Sequence, residues 1–130
     1  MLRDIDVLKT SGKVEVGLSI STGEEKIRRI FEPGASAIEE RINALKSLHA
    51  QGIKTFAMIA PLLPGAERLP RELADAVDFV LIDRLNYHYA HRIYRENNME
   101  WAMEDRFFAE KGNELKKSFE TEKILVNILF

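Results

Sequence analysis

Ile53-Lys54-Thr55-Phe56-Ala57-Met58-Ile59-Ala60-Pro61-Leu62-Leu63 is the stretch on which the fold turns. It is a nearly continuous apolar run, preceded by Gln51-Gly52 and followed by Pro64-Gly65. Such a run predicts a parallel strand covered on both faces. Residues 14–20 upstream (Val14-Glu15-Val16-Gly17-Leu18-Ser19-Ile20) and residues 77–82 downstream (Val77-Asp78-Phe79-Val80-Leu81-Ile82) are similarly rich in apolar and β-branched residues. Each pair of strands is separated by helical pattern. Residues 24–31 place Ile27, Ile30 and Phe31 on one face, and Pro33-Gly34 stops that helix. Ser36-Ala37-Ile38-Glu39 has the form of a capping box, serine first and glutamate three residues on. The helix it opens carries Ile38, Ile42, Leu45 and Leu48 (or His49) as a stripe. Leu69-Pro70-Arg71-Glu72 starts a short helix with proline in its first turn.

Working outward, residues 5–9 read as the end of a helix closed by Ser11-Gly12. Residues 87–97 and 105–120 read as helices, the second weakened by Gly112, and residues 123–130 as a last strand. The fold class is therefore α/β: three or four parallel strands with outer helices, joined by right-handed crossovers. Strands 14–20, 53–60 and 77–82 are expected to neighbour one another in that order. The 130 residues form a single domain, with a helical tail over about 87–121 and no internal boundary.

Composition narrows the function classes. Apolar residues make up 45% and charged residues 31%, as in an ordinary globular core. The net charge of −2 gives no support to nucleic acid as a partner, although a local basic patch is compatible with it. No apolar run approaches the ~20 residues of a membrane helix, so no membrane partner is expected. There is no cysteine, which excludes disulfides and thiolate metal sites and makes the cytoplasm the expected location. P-loop, G-x-G-x-x-G and G-x-S-x-G motifs are absent.

Three segments taken together carry a resemblance: Val14 to Thr22, Phe31-Glu32-Pro33-Gly34-Ala35 with Arg41 behind it, and Ala60-Pro61-Leu62-Leu63-Pro64-Gly65. They resemble the second half of the barrel in radical S-adenosylmethionine enzymes of the spore photoproduct lyase-like kind. The resemblance spans about residues 5–85 and implies a partial TIM barrel, a half-barrel. In that family a strand ending in serine makes polar contacts to the ribose or methionine part of S-adenosylmethionine; Ser19 and Ser21 match. Residues 59–65 match the glycine-containing segment that packs around adenine, so the resemblance assigns Ile59, Pro61 and Gly65 to the cofactor as well. Glu67 is the nearest match to the acidic residue that follows the family's glycine. The family holds its 4Fe-4S cluster on a C-x-x-x-C-x-x-C loop near its N-terminus. This chain has no cysteine, so the cluster is implied only if a missing N-terminal half supplies it.

The densest polar and aromatic segment is Asp83-Arg84-Leu85-Asn86-Tyr87-His88-Tyr89-Ala90-His91-Arg92-Ile93-Tyr94-Arg95. Three readings stand. His88 and His91, three apart, could form a metal pair on one helical face. Arg84, Asn86, Tyr87 and His88 could bind an anionic or nucleotide substrate by charge-assisted hydrogen bonds and stacking. The segment could also be purely structural. Trp101 and Phe107-Phe108 read as core or interface anchors.

These readings lead to two expectations of function. The first is the C-terminal part of a radical S-adenosylmethionine enzyme, contributing cofactor and substrate contacts, inactive alone, and partnered by the missing barrel half or a second copy. The alternative is a non-catalytic α/β binding or assembly module that forms oligomers through its open sheet edge. No residue of the chain is assigned a catalytic or metal-binding role.

Overall fold

The computed structural model describes residues 5–10, 13–84 and 88–130. Its strands are β1 (Ile5–Thr10), β2 (Lys13–Ser19), β3 (Lys54–Ile59), β4 (Phe79–Ile82) and β5 (Leu125–Ile128), adjacent in that order in one open sheet. β2 to β5 are parallel throughout. The three expected strands are neighbours in the expected order, and residues 123–130 supply a fourth. The helices are α1 (Glu25–Phe31), α2 (Ile38–Ala50), α3 (Leu69–Glu72), α4 (His88–Glu96) and α5 (Asp105–Thr121).

β1 corrects the expected helix end at residues 5–9. It pairs antiparallel with β2, from Ile5 opposite Leu18 to Thr10 opposite Lys13. The reason is non-local. Without it β2 would present an edge of unpaired N–H and C=O groups, and a strand on that edge satisfies them.

Strand register sorts the side chains onto two unlike faces. Leu18, Ala57, Val80 and Val126 form one row, and Ile59, Ile82 and Ile128 the next. These rows pack with Ile27, Ile42 and Leu45 of α1 and α2 and with Phe108, Leu115 and Phe119 of α5 into one apolar core.

The opposite face holds the row Gly17, Phe56, Phe79 and Leu125. Phe56 is buried but stands apart from the helix-packed core. Its ring stacks on Phe79, centroids 5.0 Å apart and planes 11° from parallel. A Cβ on residue 17 would lie 2.3 Å from the Phe56 ring, so only glycine lets that ring lie flat on the sheet. Double coverage of β3 is therefore achieved unequally: helices cover one face, and the strand's own aromatic neighbours cover the other. At β5 even that cover ends, and Leu125 is 76% exposed.

The expected capping box is also replaced. Ala37, not Ser36, occupies the N-cap of α2, with no side-chain bond of its own. The Ile38 N–H donates instead to the Glu25 carboxylate at 2.5 Å. Burial pushes the Glu25 carboxyl upward, but the Ile38 N–H and the Arg28 guanidinium outweigh it and hold the group below its ordinary range. Gly112, unfavourable for a helix, is buried within α5. A Cβ there would meet the Phe130 ring at 2.9 Å, so the missing side chain admits the end of the chain against the helix.

A polar clasp ties the lower ends of β3 and β4. The buried Thr55 hydroxyl donates to the Ala76 carbonyl at 2.6 Å, and the Thr55 N–H donates to Asp78 at 2.9 Å. His49 Nδ1 lies 3.3 Å from the hydroxyl and 3.4 Å from the Asp78 carboxylate. Thr55→Val is expected to cost about 1–3 kcal/mol, because it leaves a buried carbonyl without its donor. Urea denaturation measures this; a loss inside the ~0.5 kcal/mol of ordinary surface substitutions would show that the carbonyl has another donor.

Candidate functional site at the carboxyl ends of the strands

In open parallel sheets ligands bind beyond the carboxyl ends of the strands. Here those ends are laced together by hydrogen bonds. The Ser21 hydroxyl donates to the Ala60 carbonyl at 3.1 Å, and the Leu63 N–H donates to the Ser21 carbonyl at 3.2 Å. The Leu62 N–H donates to the Asp83 carbonyl at 3.0 Å. Thr22 donates to the Pro64 carbonyl at 2.7 Å, and Gly23 N–H to the Gly65 carbonyl at 2.9 Å. Ser19, Ser21, Pro61 and Asp83 thus share one rim, as their positions at strand ends predict.

Their availability differs. Ser19 is half-buried and lies on the face away from the helix-packed core, in a row with Met58, Leu81 and Asn127. Its carbonyl accepts from Arg41 Nη1 at 2.5 Å, and Arg41 Nη2 reaches Glu32 at 3.3 Å. Arg28 in turn donates to the carbonyls of Glu32 and Ala35 at 3.1 and 2.9 Å. The segment from Glu32 to Ala35 is therefore a bracket that two buried arginines hold in place behind Ser19.

Ser21 is buried with its hydroxyl committed to Ala60. Ile59 is fully buried in the helix-covered core. Gly65 sits at φ +86°, where a Cβ would meet Glu24 at 2.8 Å and Thr22 at 2.9 Å. Glycine there allows the β2 and β3 exits to close on each other. Pro61 is half-buried and follows a cis peptide bond. Glu67 turns to the helical side and pairs with Lys111 at 3.1 Å; that bond holds the Lys111 ammonium above its ordinary value.

Arg84 continues from β4. Its guanidinium lies 4.8 Å from the Phe108 ring and 2.5 Å from Asp105. Phe108 is buried and touches Phe107 and Phe130 edge-on, and half-exposed Trp101 leans on Phe107. The core-anchor reading holds for Phe107 and Phe108, whereas Trp101 lies outside the core, and Phe108 also seats Arg84. Asn86 and Tyr87, together with the side chain of His88, lie outside the described residues. Tyr94 of α4 is buried against Phe31, and burial raises its phenol to about 12. No group of three or more metal-ligating side chains occurs among the described residues. No helix among them is long and apolar enough to cross a membrane.

Sequence reasoning reached Ser19 but missed its row partners Met58, Leu81 and Asn127. The signal was present, because every second residue of each strand shares a face, but the relative register of four strands is not written locally.

No family model and no solved structure matches this chain. An uncharacterized protein of Methanocaldococcus jannaschii is 34% identical over 107 residues, covering 75% of this chain and 41% of its own length. The chain thus spans less than half the length of that relative.

Proposed function

We propose that this chain is the C-terminal part of a radical S-adenosylmethionine enzyme, lending cofactor and substrate contacts to a barrel whose cluster-bearing half is another segment. The observation that carries the reading is the pairing of a sheet face turned away from the helix-packed core with a laced rim at its carboxyl end, with Ser19 where the two meet. The residue set accords with the cofactor in part. Ser19 offers a hydroxyl to a ribose or carboxylate, and Met58 and Pro61 offer apolar surface to a purine. Ser21, Ile59 and Gly65 serve by holding the rim in shape. Arg84, held by Phe108 and Asp105, is on this reading a substrate contact, as are Asn86, Tyr87 and His88, which follow it in sequence. A 4Fe-4S cluster does not fit this chain's own residues, because thiolates hold such clusters and the chain has none.

S-adenosylmethionine supplies the cleavable sulfonium when bound; this chain's part is to orient it. Half a pocket binds weakly, so a dissociation constant near millimolar is expected, about −4 kcal/mol. Amide NMR titration with S-adenosylmethionine should shift Ser19, Met58, Ala60 and Leu62. Unmoved amides at these positions at ten millimolar cofactor, roughly tenfold above that constant, would remove the cofactor role.

The exposed Leu125 on an edge strand favours one second reading, a non-catalytic module that associates through β5. On that reading the same titration is silent and the chain is a stable oligomer.

A further inference from the structure

α3 is four residues long, whereas α2 has 13 and α5 has 17. A helix that short cannot fill its share of the helical layer, and a cleft of about 520 Å³ opens between it and the last turn of α5. Small-ligand sites fall in the same range, roughly 300–1,000 Å³. Arg68, Arg71 and Glu72 line one side of the cleft, and Ser118, Thr121 and Glu122 the other. None of Ser19, Ser21, Pro61 and Asp83, the residues of the rim, takes part in it.

The charges of the cleft are left free by the local geometry. Arg92–Glu96 and Arg106–Glu110, each with arginine first and glutamate four residues on, pair at 2.7 and 2.9 Å. Arg68 and Glu72 have the same order and spacing and do not pair. Ala66–Arg68 is a 3-10 turn, whose three-residue repeat takes Arg68 off the line of Glu72. Glu67 stands four residues before Arg71, but Lys111 of α5 holds its carboxylate at 3.1 Å. Among the described residues, both guanidiniums thus have no carboxylate partner, and Glu72 and Glu122 have no cationic one. The Thr121 hydroxyl donates to the Lys117 carbonyl at 3.0 Å, which leaves its oxygen to accept. A plain anion in this cleft would meet two carboxylates, and a plain cation two guanidiniums. A ligand that carries both charges can satisfy both sets.

We propose that the cleft binds a small zwitterion of the amino-acid or short-peptide type. Its carboxylate lies on Arg68 and Arg71 through charge-assisted hydrogen bonds. Its ammonium donates to Glu122 and the Thr121 oxygen at the end of α5, where the helix dipole also favours a cation. A ligand there does not touch the rim, so its binding is independent of S-adenosylmethionine.

The test is an amide NMR titration of the full chain with glycine, glycylglycine and triglycine, whose two charges are progressively further apart. At least one is expected to saturate at a roughly millimolar dissociation constant, with shifts concentrated at Arg68, Arg71, Ser118, Thr121 and Glu122. Acetate and methylammonium at equal ionic strength should not saturate. Arg71→Gln and Glu122→Gln, both at exposed positions and so compatible with folding, should each weaken the zwitterion roughly tenfold or more. Arg95→Gln, exposed on α4, should leave it unchanged. Glu122→Lys should invert the preference, losing the zwitterion and gaining saturable binding of inorganic phosphate at the same amides. No saturable shift with any of the three probes overturns the inference. So does acetate that binds the wild type as tightly as the zwitterions, or an equal effect of Arg71→Gln and Arg95→Gln. Phosphate held as tightly by the wild type as by Glu122→Lys does the same, since the cleft would then be a simple anion site.

Discussion

Phe108→Ala is expected to lower the stability of the chain by about 3–5 kcal/mol, the usual cost of deleting a fully buried phenylalanine. The ring has no exposed surface and sits between the helix core and the strand ends, touching Phe107, Phe130 and the Arg84 guanidinium. The loss therefore combines transfer, cavity and cation–π terms in one residue. In thermal unfolding the midpoint should fall by on the order of 10 °C. Trp101→Ala removes a larger side chain but one that is 49% exposed, and should cost clearly less. Equal losses for the two would mean that Phe108 is not the keystone of this cluster. Phe108→Ala should also free Arg84, so any anion affinity at the rim should weaken with it.

The second large effect concerns chemistry. The isolated chain, supplied with iron, sulfide, reductant and S-adenosylmethionine, is expected to release no 5′-deoxyadenosine, because it has no thiolate to hold a cluster. Combined with a segment bearing a C-x-x-x-C-x-x-C loop, it should support cleavage. Ser19→Ala should then lower cofactor use roughly five- to tenfold, the worth of one hydrogen bond to a bound polar group. Chromatographic detection of 5′-deoxyadenosine from the cysteine-free chain alone would overturn the proposal. Equal cleavage by the wild type and Ser19→Ala would move the contact to another residue of the rim.

Much of this molecule is determined by local sequence. The apolar runs at 14–20, 53–60 and 77–82, spaced by helical pattern, dictate parallel strands in sequence order, because short right-handed crossovers leave little alternative. The same spacing sends Ser19, Pro61 and Asp83 to one rim, since each ends a strand pointing the same way.

Other features depend on partners distant in sequence. Residues 5–9 read locally as the end of a helix, but the open edge of β2 makes residues 5–10 a strand. Ser36 and Glu39 form a capping pattern, yet the first N–H of α2 donates to the carboxylate of Glu25. Ser21 looks as available as Ser19, and only the approach of the Ala60 carbonyl occupies its hydroxyl. Gly112 looks like a defect in α5 until the Phe130 ring is seen where its side chain would stand. Periodicity tells which residues share a face of one strand. Whether helices or rings cover that face depends on how the elements pack, and here helices pack on the Leu18–Ala57–Val80 row while Phe56 stacks on Phe79 on the other.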